Sequence, residues 1–393
     1  MQIPAAGITM TAFYETTHRM LAKGSHDELS RELFNRSFTL YLEAESRPRI
    51  REVYERAVKP ALVAEHGREP TRREIAKAMR EVPPNRWWYA LRTRAQRNSY
   101  EVATAVVARQ MPELIERAHA FDNNPAGGSL TLDPALKVPN YLTAHDIHHL
   151  PGGYHTERGA DDFAAGAIYD RQMTINRMGQ QGRLNDDPGV SLAAWTKEKF
   201  PDLKPKRILE MGCSVGHSLL PFKEVYPDAE VIGIDVAAPC LRYGHVRAEA
   251  LGVPVHFMQQ NAEQTTFEDG SCDIVFSRIL LHETSRAAVP RIFKECHRLL
   301  RKGGLMFHSD APQFNELDPY VASLRDWDIT CNNEPFMDVA YELPLEDMYA
   351  EAGFDRAQAF RLRIPSKHVQ ASGIDPKFTR TGGSMFLVAA VKS

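Results

Sequence analysis

A glycine-rich turn between an apolar strand and a helix is the part of the sequence best suited to bind a ligand. The strand carries an acid, Glu210, and a second acid, Asp235, ends the next apolar segment. The turn itself consists of Gly212, Cys213, Ser214, Val215 and Gly216. Glycines permit a tight turn and close approach of a ligand, and an acid at Asp235 can accept hydrogen bonds from both hydroxyls of a ribose. The pattern predicts a nucleoside site.

Three classes of protein use a turn of this kind. A nicotinamide-binding protein requires GxGxxG, which is absent, and Glu210 would repel a pyrophosphate. A serine hydrolase would use Ser214, because Gly212 to Gly216 fits GxSxG, but about 200 largely helical or irregular residues stand where that fold needs strands. A nucleoside without phosphates tolerates both acids, because a ribose is uncharged and a sulfonium is cationic. The third class fits best.

Residues 208–311 resemble the class I S-adenosylmethionine-dependent methyltransferase superfamily. Five motifs occur in the expected order: the strand–acid–glycine loop, with Ser214 at a usual glycine position, Asp235, Gln260-Asn261-Ala262, Phe267 to Ser277 followed by Leu281-His282-Glu283, and Leu299 to Gly304. One such motif is weak, whereas five in register over about 100 residues are specific.

The resemblance implies S-adenosylmethionine as the cofactor and S-adenosylhomocysteine as the product. Glu210 and the backbone of residues 212–216 would flank the methionine part, and Asp235 would bind the ribose. Asn261 and Ala262 would contact the adenine, and Ser277 would lie near the sulfonium. The cofactor residues implied in this way are Glu210, Gly212, Ser214, Gly216, Asp235, Asn261, Ala262 and Ser277.

Methyl transfer is an in-line displacement at a carbon that the sulfonium activates. The protein must align the acceptor and exclude water, and it needs a base only where the acceptor carries a proton. We expect His282 and Glu283, after the fourth strand of the motif set, to contribute to catalysis, with His282 as the base. A histidine that only supports the site is the alternative. The resemblance also places a lid over the cofactor at Tyr169 to Arg171, so Tyr169 is a catalytic candidate and Arg171 a substrate-binding one.

A histidine-rich segment, residues 145–155, precedes the methyltransferase-like part. Its four histidines and one acid match no standard metal spacing, so we predict no metal ion there. We expect these side chains to line the acceptor pocket instead, with His148 catalytic and His149 and Tyr154 binding substrate. Plain surface histidines are the alternative.

Residues 310–343 are predicted to form a capping insertion after the fifth motif strand. Trp327, Asn332 and Asn333 combine aromatic and amide groups that suit a polar small molecule. The alternative is a purely structural cap.

The first third of the chain contains a basic region. Residues 68–97 hold nine Lys/Arg and three Glu, whereas the whole chain has a formal net charge of −3. A basic helix–turn–helix pattern with Trp87-Trp88-Tyr89 admits a nucleic-acid methyltransferase. A helical domain that forms a homodimer and closes the pocket is favoured, because the chain as a whole is slightly acidic.

The predicted architecture is an α/β chain: a Rossmann-like core with a seven-stranded, mostly parallel sheet, preceded by a helical N-terminal domain. We assign residues 1–122 to that helical domain, 123–190 to a connecting and lid region, and 191–393 to the core. Five scattered cysteines favour neither disulfides nor a zinc site, and no signal or membrane-spanning segment is visible, so a cytoplasmic location is expected. The predicted function is methylation of a small polar molecule at O, N, S or C, without nucleic acid or membrane as partner. A hydrolase and a regulatory cofactor-binding protein are the remaining alternatives.

Overall fold

An eight-stranded sheet forms the centre of the molecule. The computed structural model describes residues 17–159, 161–177, 179–310, 312–373 and 383–393. Residues 1–16 of the predicted helical domain and residues 374–382 of the predicted core therefore lie outside the described residues. The strands are β1 Ser129–Thr131, β2 Arg207–Met211, β3 Glu230–Asp235, β4 His256–Gln259, β5 Cys272–Arg278, β6 Leu300–Asp310, β7 Ala359–Pro365 and β8 Ser384–Val391. Their spatial order is β1-β4-β3-β2-β5-β6-β8-β7.

All pairs from β1 to β6 are parallel, and β8 runs antiparallel to both β6 and β7. Parallel strands need helices on both faces, and their residues are therefore apolar throughout. The side chains of β2 divide accordingly. Leu209 and Met211 enter the core on one face of the sheet, and Ile208 enters the core on the other. The predicted Rossmann-like class is confirmed.

The predicted count of seven strands is wrong, because β1 adds an eighth. Its three residues were assigned to the connecting region, where the glycines and prolines on either side indicate irregular structure. A strand of three residues is too short to show alternation, and this one pairs at the edge of the sheet with β4. Gly128 permits this approach, since a Cβ atom there would lie 2.6 Å from the carbonyl oxygen of Val255.

The first third is helical, as predicted, but its divisions differ. The helices are α1 His26–Tyr41, α2 Arg47–Val53, α3 Lys59–His66, α4 Arg72–Arg80 and α5 Pro83–His119, and π-helical turns at Leu42–Ser46 and Tyr54–Val58 join the first three. Pro48 and Pro60 follow these wider turns, which accommodate the missing N–H groups. The sequence predicts a capping box of Thr71 and Glu74 at the start of α4, and the structure confirms it.

The sequence predicts two helices here, one from about Asn85 and another from about Asn98 to Ala120, whereas the structure has the single 37-residue α5. The apolar pattern weakens around residues 92–98. Burial there comes instead from Ala95, Gln96 and Ser99, which pack against neighbouring elements without forming an apolar stripe. Tertiary packing therefore continues the helix.

The remaining helices surround the sheet. They are α6 Asn140–Thr143, α7 Ala164–Arg177, α8 Asp187–Lys199, α9 Leu220–Val225, α10 Ala238–Leu251, α11 Ala288–Leu299, α12 Pro319–Ser323, α13 Asp326–Cys331, α14 Met337–Glu342, α15 Leu345–Ala352 and α16 Lys367–Ser372. Helices α12 to α14 belong to the predicted insertion, and they pack on the N-terminal helices. Trp327 meets Trp88 edge to face at 5.8 Å between ring centroids. In the described part of the chain, no helix is long and apolar enough to cross a membrane.

Candidate cofactor and acceptor site

The glycine loop lies where the order of the sheet reverses. From β2 the chain continues to β3 and β4 on one side, and then crosses to β5 and β6 on the other. Loops at the carboxyl ends of β2 and β5 therefore separate and leave a crevice, which is the usual ligand position in open α/β sheets.

The loop has left-handed backbone geometry at three positions. Gly212, Ser214 and Gly216 have φ angles of 71°, 49° and 78°. Ser214 thus adopts the conformation of the glycine it replaces, and its N–H donates to Asp235 Oδ2 at 2.9 Å. The serine at a usual glycine position therefore does not alter the backbone conformation of the loop.

Glu210 lies at the floor of the crevice with one oxygen unused. Its side chain is 2% exposed, and Oε2 has no hydrogen-bond partner. Burial raises the pKa of this carboxyl well above its ordinary value, although Arg278 acts in the opposite direction. Such an oxygen is costly unless a ligand supplies a donor or a positive charge. The ammonium and sulfonium groups of S-adenosylmethionine fit this requirement.

The other predicted cofactor residues lie at the neighbouring strand ends. Asp235 also accepts from Ala237 N–H at 2.9 Å, so this carboxylate fastens the loop and retains further acceptor positions. Asn261 Oδ1 accepts from Glu263 N–H in the turn after β4, beside Ala262. Ser277 is buried, and its hydroxyl lies 2.7 Å from His308 Nδ1.

Sequence reasoning missed Arg278 and Ile279 at the end of β5. Arg278 is half-buried, and desolvation lowers its pKa while the charges of Tyr169 and Glu210 act to raise it. Ile279 has a φ angle of 50°, which is rare for a β-branched residue and places strain at the crevice. The signal in the sequence that could have indicated Arg278 is its position directly after Ser277, the serine at the end of the strand.

His282 forms a dyad with a carboxylate that the sequence did not single out. Its Nδ1 lies 2.6 Å from Asp310 Oδ1. Burial lowers the pKa of His282, but Asp310 and Glu283 outweigh burial and raise the pKa well above its ordinary value. A raised pKa favours the protonated form, which suits a hydrogen-bond donor at this position. The role of His282 as a base stays a prediction.

His148 and Glu283 come together with Glu334 of the insertion. His148 Nε2 lies 3.0 Å from Glu334 Oε1 and 3.7 Å from Glu283 Oε1. His148 Nδ1 lies 2.8 Å from the Tyr154 hydroxyl, and the Tyr154 ring meets Tyr169 at 5.5 Å. Four of the predicted residues, His148, Tyr154, Tyr169 and Glu283, thus lie next to one another. Glu334 was missed because it lies about 185 positions from His148 in the sequence.

Other predicted substrate residues have structural partners instead. Arg171 is fully buried in an ion pair with Glu32 and donates to Ala22 O at 3.0 Å. Trp327 Nε1 donates to Tyr89 O at 3.2 Å, between the insertion and α5. These bonds hold elements together, so neither residue is carried into the acceptor site.

The amides of the insertion and the second histidine are likewise engaged. His149 Nε2 lies 2.7 Å from Cys331 O, and Asn333 Nδ2 donates to Asp146 O at 3.1 Å. Asn332 donates to Glu334 and so orients that carboxylate. Of the three, only Asn332 supports the pocket directly.

Asp170 fastens the exit of the glycine loop. It accepts hydrogen bonds at 2.8 Å from His18, His217 and Tyr243, and Arg247 lies 3.8 Å away. We call these five residues the Asp170 cluster. Because His217 Nε2 is directed to Asp170, it does not activate Ser214, which removes support for the hydrolase alternative.

The fold and the site define a Rossmann-like nucleoside-binding domain, and comparison with known proteins identifies its family. Residues 208–304 match the family model described as a methyltransferase domain. The chain therefore contains a class I S-adenosylmethionine-dependent methyltransferase domain, as the sequence predicts, and S-adenosylmethionine is the cofactor of that family.

Similar proteins share this part of the chain. Demethylmenaquinone methyltransferase of Thermus thermophilus is 35% identical over 108 residues, which cover 28% of this chain and 48% of the relative. The tRNA N(3)-methylcytidine methyltransferase Mettl2 of Drosophila melanogaster is 27% identical over 163 residues, covering 36% of this chain and 47% of the relative. The chain thus spans about half the length of these relatives. A solved structure of a putative O-methyltransferase from Nostoc punctiforme has a TM-score of 0.42 at 16% identity and covers 57% of this chain and 60% of its own.

Proposed function

We propose that this protein transfers the methyl group of S-adenosylmethionine to a small polar molecule. The buried, unpartnered Oε2 of Glu210 beside the glycine loop carries the proposal. An anionic floor at this position favours a cationic cofactor over a phosphate-bearing one, which the carboxylates would repel. Asp235 at the end of β3 is then available for the ribose hydroxyls, and Asn261, Ala262 and Ser277 line the rest of the cofactor site.

The acceptor would lie between the strand ends and the His148 wall. His282 would donate a hydrogen bond to the acceptor or stabilise negative charge on it, because Asp310 at Nδ1 favours the protonated form. Tyr154 and Tyr169 present rings and hydroxyls that exclude water and orient a small substrate. The connecting region and the insertion close this side.

Cofactor binding tests the proposal directly. Calorimetry with S-adenosylhomocysteine should show one site per chain, and Asp235→Ala should weaken binding at least tenfold because two ribose hydrogen bonds are lost. Asp228→Ala, at the opposite end of β3, is the matched control and should bind as the wild type does. Equal affinity of wild type and Asp235→Ala would remove the cofactor assignment.

The small-molecule acceptor is supported by how the basic region is used. Arg72 and Arg73 pair with Glu342, and Arg80 pairs with Asp326, so acids of the insertion neutralise these arginines. A surface neutralised in this way is unsuited to phosphates. The Thermus relative is named for demethylmenaquinone, which is not a nucleic acid, whereas the Drosophila relative named for tRNA represents the alternative.

Label transfer separates the two. With methyl-labelled cofactor and a cell extract, label should enter the low-mass fraction and leave RNA and DNA unlabelled. Nuclease-sensitive label in the macromolecular fraction would instead favour the nucleic-acid methyltransferase.

We also propose a homodimer through the N-terminal helices. Phe34 and Trp87 are each 69% exposed, and Tyr41 and Leu91 add apolar surface on the same two helices, α1 and α5. Light scattering should give a dimer that Trp87→Glu dissociates, and a wild-type monomer would contradict this part.

A further inference from the structure

Three separate segments supply the ligand set at the acceptor side. Glu283 comes from the turn after β5, His148 from the connecting region and Glu334 from the insertion. Their ligand atoms, one from each side chain, all lie within 4.8 Å of one another. We call these three residues the His148 cluster. Convergence of residues so distant in sequence indicates a common partner.

The spacing suits a divalent metal ion. Ligands bound at about 2.0–2.2 Å stand roughly 3.0–3.5 Å apart around a four- or six-coordinate ion. The measured separations from His148 Nε2 to the two carboxylates are 3.0 and 3.7 Å. Small rotations of Glu283, which is partly exposed, bring all three into coordination distance.

Glu334 provides an independent indication of a ligand. The residue is 1% exposed, yet its Oε2 has no hydrogen-bond partner. A buried carboxylate oxygen without a partner is costly, and a bound cation offsets that cost.

Neighbouring groups hold the ligands in orientation. The Tyr154 hydroxyl can accept from His148 Nδ1–H at 2.8 Å, so Nε2 is the atom that would exchange its proton for the ion. Asn332 donates to Glu334 on the other side. Such outer contacts are typical of ligands around metal ions.

We propose that His148, Glu283 and Glu334 bind one divalent transition-metal ion that holds an oxygen atom of the methyl acceptor. One imidazole and two carboxylates suit Mn²⁺, Fe²⁺ or Zn²⁺. The ligand set departs from the sequence prediction of no metal, because two of its three members lie outside the histidine-rich segment. The metal site stands on its own geometry, and its role toward the acceptor rests on the proposed methyl transfer.

A metal ion at this position favours a methyl acceptor that carries a hydroxyl group. A metal-bound hydroxyl loses its proton to water more readily than a free one. Its oxygen then forms a bond to the methyl carbon while the carbon–sulfur bond breaks, and that electron pair remains on sulfur. The products are a methyl ether or ester, S-adenosylhomocysteine and a proton.

Metal binding is tested with the chelator-treated, full-length protein. Titration with Mn²⁺, followed by calorimetry and by the loss of the free-ion spin-resonance signal, should give one ion per chain. Glu334→Gln and His148→Ala should each lower the affinity at least tenfold. His119→Ala is the control, because His119 forms an exposed pair with Asp122 and should leave the affinity unchanged.

Two results overturn the metal site. One is a wild-type protein that binds no Mn²⁺ or Zn²⁺, and the other is unchanged affinity in Glu334→Gln and Glu283→Gln variants whose circular dichroism matches the wild type. Glu283 is only partly buried, so its variant remains informative if Glu334→Gln misfolds.

The acceptor role has a separate readout. Removing the metal should leave S-adenosylhomocysteine binding unchanged and lower label transfer at least tenfold, with recovery on adding Mn²⁺. Metal binding without any cofactor binding would instead refute the proposed function while leaving the metal site intact. Full label transfer in the chelated protein would overturn the role of the ion.

Discussion

Two histidine–carboxylate clusters on either side of Tyr169 use the same side chains in opposite ways. In the Asp170 cluster, donors from three segments converge on one buried carboxylate, and His217 stacks near Tyr169 with 5.8 Å between ring centroids. In the His148 cluster, acceptors outnumber donors, and Glu334 retains an unpartnered oxygen. The first arrangement satisfies its central charge and serves stability. The second leaves binding capacity unused and serves a ligand.

The pKa directions follow the same division. Burial lowers the pKa of His217 to about 4, so it remains neutral and donates to an ionised Asp170. In the His148 cluster, the charges of Glu334 and Glu283 outweigh burial and raise the pKa of His148. The pKa values of the two histidines thus shift in opposite directions. Arg247 offsets the charge of Asp170 near His217, whereas two carboxylates face His148.

The largest expected effect is on stability in the Asp170 cluster. Asp170→Ala leaves a buried arginine and three donors without their acceptor, which should lower the free energy of unfolding by about 3–5 kcal/mol. Urea denaturation measures it. Glu283→Gln in the His148 cluster is the comparison and should change the same quantity by less than about 1 kcal/mol. An equal decrease in the free energy of unfolding in both variants would contradict the division into a stabilising cluster and a ligand-binding one.

Acidification should act through His217. Its pKa of about 4 in the folded chain lies below the ordinary 6.5, so the unfolded chain binds the extra proton between these values. This contribution is complete above pH 6.5 and is lost as the pH falls toward 4, by up to about 3 kcal/mol.

A neutral donor in place of the imidazole isolates that effect. His217→Gln should flatten the dependence of unfolding free energy on pH between 6.5 and 4, whereas His26→Gln, on an exposed histidine, should leave it unchanged. An identical profile for His217→Gln and wild type would show that other groups set the acid sensitivity.

Glu210 sharpens the comparison from the cofactor side. Because burial raises its pKa, ionised Glu210 destabilises the free protein above pH 4.5, so Glu210→Gln should raise the free energy of unfolding at pH 7.5 by about 0.5–2 kcal/mol. The same variant should bind S-adenosylhomocysteine at least tenfold more weakly. Thermal unfolding and calorimetry measure the two quantities, and a destabilised variant would mean that Glu210 is structural.

The smallest effect is expected at Ser214. Its left-handed φ angle costs about 1–2 kcal/mol in a non-glycine residue, and the greater freedom of glycine in the unfolded chain offsets about 0.5–1 kcal/mol. Ser214→Gly should therefore raise stability by about 0–1.5 kcal/mol and preserve cofactor affinity. Loss of affinity would assign the serine hydroxyl a role in binding.

The mostly parallel sheet and the cofactor loop could be predicted because their signals are local. Glu210, Gly212 and Gly216 lie within seven residues, and the glycines report backbone geometry directly. The short β1 could not be predicted, since its pairing with β4 is a property of the folded sheet.

The acceptor side was only partly predictable for the same reason. His148 and Glu283 carried a signal, but nothing local links them to Glu334 or Asp310. Arg171 was predicted to bind substrate because the resemblance places a lid at Tyr169 to Arg171, and the missing information was its partner Glu32, about 140 positions earlier.

The contacts of His18 and Met20 have a consequence for the order of folding. The Tyr243 hydroxyl donates to Met20 O, 223 positions away in sequence. His18 forms its hydrogen bond with Asp170, which is 152 positions away. During synthesis the segment that contains His18 and Met20, together with the helices after it, is made long before its partners Asp170 and Tyr243. Contacts of such sequence separation slow folding, because the chain entropy is lost before the contact contributes. We expect this segment to dock last, after the sheet has formed, and to be the part that a chaperone has most time to bind.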